Sequence, residues 1–112
     1  MQQLEKISVG ELSKMAEQMY GTFVKAVVDL NRGLLVVDAE MHADEEQYLL
    51  EQGSKQEDLW GINLYPEHFG TDKFVEFDSM INIKPRQNNR SRSVEDADIR
   101  EKIMVIVRKK IL

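Results

Sequence analysis

The residues with the clearest chemical potential lie in a basic loop near the end of the chain. Residues 84–93 contain four cations and no acid, so they carry +4, whereas the remaining 11 basic and 20 acidic residues give −9. Guanidinium groups bind phosphate or carboxylate through paired hydrogen bonds, and free amides at a helix N-terminus add further donors. The alternative is that the arginines pair with acids of the protein itself and hold a long loop in place. We assign the ligand contacts to Arg86, Asn89, Arg90, Ser91 and Arg92.

Two predicted strands bring further polar residues towards this loop. Glu76, Asp78 and Asn82 share one face of the fourth predicted strand, and Asn63 lies on the polar face of the third. If these strands pair, a mixed-charge cleft forms beside the basic loop, and Asn63 and Asn82 join the ligand contacts. The same pattern is also typical of a solvated sheet face. Trp60 is a candidate ligand contact at the rim, or else an anchor of the core.

An acidic segment around residue 42 raises the question of a metal site. On a helix, His42 and Glu46 are one turn apart, as a metal-binding pair can be, and Glu76 and Asp78 are further candidate ligands. The spacing matches neither the two-histidine metalloprotease motif nor a calcium loop. Acids at a helix start are expected from the helix dipole alone. We therefore assign no metal and no cofactor, and keep His42, Glu76 and Asp78 only as candidates.

Composition removes several classes of function. The chain has no cysteine, which excludes disulfides, thiolate metal sites and cysteine nucleophiles. A net charge of −5 argues against extensive nucleic-acid binding, and the longest apolar run, residues 103–107, is too short to span a membrane. Glycine-rich phosphate loops, dinucleotide fingerprints and nucleophile elbows are not found either. With no secretory pattern at its start, the protein is expected in the cytoplasm.

The elements that must position these residues follow from hydrophobic periodicity. Ser8 and Glu11 form a capping box before the first apolar helix, and the turn at residues 31–33 joins two alternating segments into a hairpin. Acids after Ser93 and cations at residues 108–110 favour a final helix over a strand. Helices are predicted at 9–20, at 42–52 and from Ser93 onward, and strands at 22–30, 34–41, 60–65 and 74–84.

This order predicts a single α+β domain over residues 1–112. Helix, hairpin, helix, hairpin and helix follow one another along the chain. The two hairpins can merge into a mainly antiparallel four-stranded sheet, with the helices packed on a face. The strand order is left open.

Four stretches carry specific strings: HADE at 42–45, GSKQEDLWGIN at 53–63, EFDSMINI at 76–83 and NRSR at 89–92. On these strings the chain resembles an uncharacterised family of short prokaryotic proteins, known only as a domain of unknown function. The resemblance extends over most of the chain. It implies no substrate, cofactor or catalytic residue, but its strings contain the polar residues singled out above.

Three functions remain open from the sequence. The first is a small binding domain that recognises a phosphate-bearing ligand or an acidic peptide through the basic loop. The second is a metal-dependent phosphoesterase or nuclease, in which Glu76, Asp78 and His42 hold the ion. The third is a protein-interaction module or homodimer that uses a strand edge, or Val105 and Leu112 near the last helix.

Overall fold

The computed structural model describes all 112 residues and contains three α-helices and five β-strands. Each helix begins where the chain offers a cap or an acidic first turn, as at Ser8, whose hydroxyl accepts the backbone N–H of Glu11. The elements are β1 (Gln2–Gln3), α1 (Val9–Gln18), β2 (Val24–Asp29), β3 (Leu34–Val37), α2 (His42–Glu51), β4 (Leu59–Leu64), β5 (Val75–Glu76) and α3 (Ala97–Lys110).

The strands form one antiparallel sheet in the order β1-β3-β2-β4-β5. The predicted α+β class and antiparallel sheet are confirmed, but the four-strand count is wrong. The additional strand, β1, pairs Gln2 with Val37 and Gln3 with Val36 at the sheet edge. Both of its residues are exposed and polar, so no hydrophobic alternation marked them as a strand.

The helices occupy both faces of the sheet, not one face as predicted. The larger core packs α1 and α3 against alternate residues of the central strands, among them Val28 and Ile62. A smaller core on the other face packs Leu49 of α2 against Val27, Val36 and Leu59. β2 and β4 are therefore buried on both faces, which gives them the nearly continuous apolar character typical of central strands.

The second predicted hairpin is much shorter than expected. β5 pairs with β4 only at Val75 and Glu76, and the strand predicted for 74–84 does not continue beyond them. The chain instead forms a short 3₁₀ turn at Met80–Asn82. The side chain of Asn82 replaces a neighbouring strand, because its Oδ1 accepts from the N–H of Gly61 at 2.8 Å and its Nδ2 donates to the carbonyl of Gly61 at 2.9 Å.

The last helix also begins later than predicted. Its N-cap is Asp96, not Ser93, and the Asp96 carboxylate accepts the N–H groups of Asp98 and Ile99. The segment from Ser93 to Glu95 is instead held by Asn89, as described below. None of the three helices has the length and apolar character needed to cross a membrane.

Candidate functional site

Two buried asparagines fix the shape of the basic loop. Asn82 is fully buried, and besides bonding Gly61 it donates to the carbonyl of Arg92. Asn89 donates to the carbonyls of Asn82 and Ser93 and accepts the N–H of Glu95 at 2.8 Å. Both residues were predicted as ligand contacts, but their side chains are committed to the backbone of the loop. They position the loop and leave no polar atom free for a ligand.

The anion-binding groups of the loop hold an acid of the chain itself. One carboxylate oxygen of Glu95 accepts the backbone N–H groups of Arg90 and Ser91 at 2.8 and 3.0 Å, and the Ser91 hydroxyl at 2.9 Å. These bonds, led by the one from the Arg90 N–H, lower the pKa of Glu95. The hydrogen-bond donors expected for a bound anion are thus present, and they bind the carboxylate of Glu95.

The three arginines of the loop point to different surroundings. Arg92 donates from Nε to Asp78 Oδ1 at 2.6 Å. The guanidinium groups of Arg86 and Arg90 are exposed and make no ion pair or hydrogen bond. The structure therefore does not assemble a three-arginine clamp, and only Arg92 reaches the polar residues of the sheet. Trp60, the other predicted contact, is 1% exposed and packs in the larger core.

Removal of Glu95 should turn the loop into an anion site. In Glu95→Ala, the amides of Arg90 and Ser91 lose their acceptor, and we expect phosphate to occupy the place of the carboxylate. Phosphate should then bind this loop at least about tenfold more tightly than in the wild type. Backbone amide NMR reports it as saturable shifts at Arg90 and Ser91. Equal shifts in both proteins would contradict the assignment of Glu95 as the internal occupant.

A second group of polar residues lies on the face of the sheet that carries α2. The strand register aligns Lys25 of β2, Asn63 of β4 and Glu76 of β5 in one row across the sheet. Lys25 makes no ion pair, and its ammonium group lies 4.9 Å from the ring centre of Tyr20. This polar cluster consists of Lys25, His42, Asn63, Glu76, Asp78 and Arg92.

Asn63 connects the row to the basic loop. Its Nδ2 donates to Glu76 Oε1 at 2.8 Å and to the carbonyl of Asp78 at 3.4 Å. Asn63 is buried, yet its Oδ1 has no hydrogen-bond partner. Glu76 also accepts the Tyr65 hydroxyl at 3.0 Å, a bond that, after burial, contributes to raising the pKa of Tyr65. A buried acceptor left unpaired is costly, and because this oxygen exposes almost no surface it is closed to a ligand in this conformation.

His42 is the buried titratable group of the cluster. Its Nε2 lies 2.7 Å from the carbonyl of Ile62, which fixes the ring with a proton on Nε2 and an acceptor lone pair on Nδ1. Burial lowers the pKa of His42, and the charges of Lys25 and Arg92 lower it further against the effects of Ile62 and Asp78. The ring is therefore neutral at pH 7 and adds no charge to the cluster.

Glu45 lies one helical turn beyond His42 and faces the sheet. Its carboxyl is fully buried, and neither oxygen has a hydrogen-bond partner. Burial raises the pKa of Glu45 to about 10, since neither the nearby Ala39 amide nor the charge of Lys25 offsets the loss of hydration. Glu45 is therefore protonated at neutral pH. Because this neighbouring carboxyl is uncharged, it does not neutralise Lys25.

The raised pKa of Glu45 gives stability a pH dependence. Between its ordinary value of 4.5 and about 10, the folded chain keeps a proton that the unfolded chain releases. The free energy of unfolding therefore falls as pH rises through this window. Glu45→Gln removes the ionisable group and should stabilise the protein by about 1–3 kcal/mol at pH 8, with little effect at pH 5. Urea unfolding at both pH values measures the difference, and an equal effect at both would contradict the assignment.

The candidate metal ligands do not form a metal centre. No group of three or more His, Asp or Glu side chains is arranged to hold an ion. Asp78 is bonded to Arg92, and Glu76 is bonded to Asn63 and Tyr65. The two carboxylates are thus occupied by donors of the protein.

The whole polar cluster lies inside a segment that one family model matches. The match covers residues 3–110 of the 112-residue chain. The chain belongs to DUF5674, a family of proteins of unknown function. The resemblance predicted from the four sequence strings is therefore confirmed, and each string contributes at least one residue to the cluster or the loop. No curated protein and no solved structure is detectably similar to the chain.

Sequence reasoning missed two residues of this region. Lys25 is not singled out within the strand predicted for 22–30, and its alignment with Asn63 depends on the pairing of β2 with β4, which no local pattern encodes. Glu45 was interpreted as an acid of the first helical turn. Its position three residues after His42 places both on one helix face, and this spacing was the available signal.

Proposed function

We propose that this chain is a binding domain for a small anion that bears a phosphate or carboxylate group, and that the polar cluster is its site. The observation that carries the proposal is the arrangement of Arg92 beside the row of Lys25, Asn63 and Glu76. The proposal keeps the anionic ligand expected from the sequence, but moves its site from the exposed basic loop to the sheet.

Arg92 is prepared for an anion by its contact with Asp78. The bond to Asp78 uses Nε, and neither terminal nitrogen of the guanidinium group makes a hydrogen bond. These two nitrogens present the paired geometry that phosphate and carboxylate groups accept. Asp78 thus holds the side chain of Arg92 in place, while the two terminal nitrogens of Arg92 stay available to an anion.

Lys25 supplies a second positive charge that makes no ion pair, although Glu76 of the same row is negative. It has no carboxylate partner, and Glu45, the nearest buried acid on α2, is protonated at neutral pH. Lys25 and Arg92 come from opposite sides of the cluster, yet both charges act on the ring of His42. An anion placed beside His42 is therefore attracted by two cations.

An acceptor of the cluster defines the rest of the ligand. The neutral imidazole of His42 has an acceptor lone pair at Nδ1. A ligand that carries a hydroxyl or amino group near its anionic group satisfies this acceptor. We therefore expect a polar metabolite with both features to bind more tightly than inorganic phosphate.

The test is a backbone amide NMR titration with inorganic phosphate. We expect saturable shifts around Lys25, Asn63 and Arg92, and about tenfold weaker binding in Lys25→Met and in Arg92→Gln. The matched controls are Arg86→Gln and Arg90→Gln, which remove the same charge from exposed arginines outside the cluster. Thermal unfolding of each variant checks that the fold is retained.

Each outcome separates one function from another. Weaker binding in the control variants, equal to that in Arg92→Gln, would place the anion on the exposed loop. Shifts that need Mg²⁺ or Mn²⁺ and reach His42 and Glu76 would favour the metal-dependent phosphoesterase. The absence of any saturable shift in the wild-type protein would overturn the proposal. The protein-interaction module would then be the remaining candidate function.

A further inference from the structure

A cleft of the molecule lies away from the polar cluster, beside α3. It has a volume of about 720 Å³ and lies between α3 and the segment from Phe69 to Phe77. Several of its lining residues belong to the larger core, whose side of the sheet is opposite to that of α2. The cleft is therefore independent of the site proposed above. Its apolar lining includes Phe69, Phe74, Val75, Phe77, Met104 and Val107.

The aromatic side chains of the cleft leave apolar surface accessible. Phe69 and Phe74 pack edge to face with ring centres 5.1 Å apart, and Phe69 is 46% exposed. Exposed apolar surface in a concave site is typical of small-molecule pockets, and the volume lies within their usual range of roughly 300–1,000 Å³. Val105 and Leu112, the exposed apolar residues near the end of the chain, do not line the cleft. Phe69 is thus the one strongly exposed large apolar side chain that lies in the cleft.

One cation beside this apolar surface makes no ion pair, although Asp72 and Glu101 also line the cleft. Arg100 is half-buried, and its Nη1 donates to the carbonyls of Val94 and Glu95 at 2.7 and 3.2 Å. No ion pair of the structure includes Arg100, whereas the nearby Arg108 is paired with Glu101 at 3.1 Å. A partly buried cation without a counter-ion favours a bound anion at the same place.

We propose that this cleft binds a small monocarboxylate with an apolar body, such as a medium-chain fatty acid or an aryl-alkyl acid. The carboxylate pairs with the free guanidinium nitrogens of Arg100, and the apolar body lies against Phe69, Phe77 and Met104. Burial of the hydrocarbon supplies most of the affinity, and the ion pair fixes the orientation. This ligand differs from the polar anion of the first site, so the two sites are tested separately.

The experiment is an NMR titration of the methyl-labelled full chain with decanoate below its micelle concentration. We expect saturable shifts of the methyl groups of Val75, Met104 and Val107, with no shift at the polar cluster. The neutral probe decanol has the same apolar body and should bind about tenfold more weakly, because it lacks the charge that Arg100 recognises. Decanol binding as strong as that of decanoate would overturn the carboxylate assignment.

Variants of the same helix test the two parts of the site. Arg100→Gln should weaken decanoate binding about tenfold, Arg100→Lys should retain most of it, and Lys102→Gln, on the exposed surface outside the cleft, should leave it unchanged. Met104→Trp should abolish binding by filling the hollow while the melting temperature stays close to that of the wild type. If Arg100→Gln fails to fold, Met104→Trp still tests whether decanoate binds in the cleft. Two results would overturn the proposal: no methyl shifts at millimolar decanoate, or concentration-dependent self-association through the cleft.

Discussion

Gly61→Ala is expected to lower the free energy of unfolding by about 2–3 kcal/mol, which corresponds to a loss of about 8–15 °C in melting temperature. A Cβ at this position of β4 would lie 2.6 Å from both Cβ and Oγ of Ser79, and 3.2 Å from Cδ2 of His42. Ser79 is buried, and its backbone N–H donates to the carbonyl of Arg92. Neither neighbour has room to move, so the loop must separate from the sheet.

A double variant tests this explanation directly. Gly61→Ala combined with Ser79→Gly removes the clashing Cβ and should recover more than half of the lost stability. Gly10→Ala is the matched control, because its Cβ would approach only Ser8 Oγ at 3.9 Å and alanine favours a helix. Thermal and urea unfolding measure all three proteins. A single Gly61→Ala variant as stable as the wild type would contradict the close contact between β4 and the loop.

Asn82→Ala, in the 3₁₀ turn that anchors the basic loop to the sheet, should lower the free energy of unfolding by about 3–4 kcal/mol. Asn82 is fully buried, and its amide satisfies the N–H and carbonyl of Gly61 and the carbonyl of Arg92. Alanine leaves these buried backbone groups unpaired at the edge of β4. The loop would detach, and Arg92 would lose its position beside Asp78.

The companion measurements identify which part of the amide matters. Asn82→Asp keeps the acceptor for Gly61 but loses both donor bonds, so it should also be strongly destabilised. Gln87→Ala removes an exposed side chain with one bond to the carbonyl of Glu57, and should change stability by less than about 0.5 kcal/mol. Hydrogen exchange at Gly61 should accelerate in both Asn82 variants. A protected Gly61 amide in Asn82→Ala would contradict the role of Asn82 as a substitute strand.

The elements that the sequence predicted correctly are those with strong local signals. The capping box at Ser8 and Glu11, the turn before Leu34 and the apolar alternation of β2 each depend on neighbours in the chain. These signals placed α1, the first hairpin, α2 and β4 to within a few residues. Asp38, with φ of 71°, ends β3 earlier than the alternation suggested.

The segment after Glu76 shows why the remainder was missed. Residues 77–83 alternate as a strand would, but Met80 is 64% exposed and Ser79 and Asn82 are buried. Their burial depends on the close approach of Gly61 and on hydrogen bonds to residues far away in sequence. A pattern of period two cannot distinguish a paired strand from a loop that is held to a sheet edge by side-chain amides.

The residues of the polar cluster show the same division between local and tertiary signals. Asn63 and Arg92 were selected from local composition, and both lie in the polar cluster. The partner acid of the loop, Glu95, was assigned to a helix start, because the true cap at Asp96 is only one residue away. Lys25 became part of the cluster through strand register, which depends on tertiary structure.

The pKa of His42, followed by NMR of its ring protons with and without sulfate, tests the central claim most directly. Sulfate keeps a constant charge across the titration. In the free protein, the pKa of His42 lies below its usual 6.5, because of burial and the charges of Lys25 and Arg92. An anion bound between these cations should raise that pKa by about one unit, and its affinity should increase as pH falls through it. An unchanged pKa of His42 at sulfate concentrations that saturate the amide shifts of Arg92 would contradict an anion bound between Lys25 and Arg92.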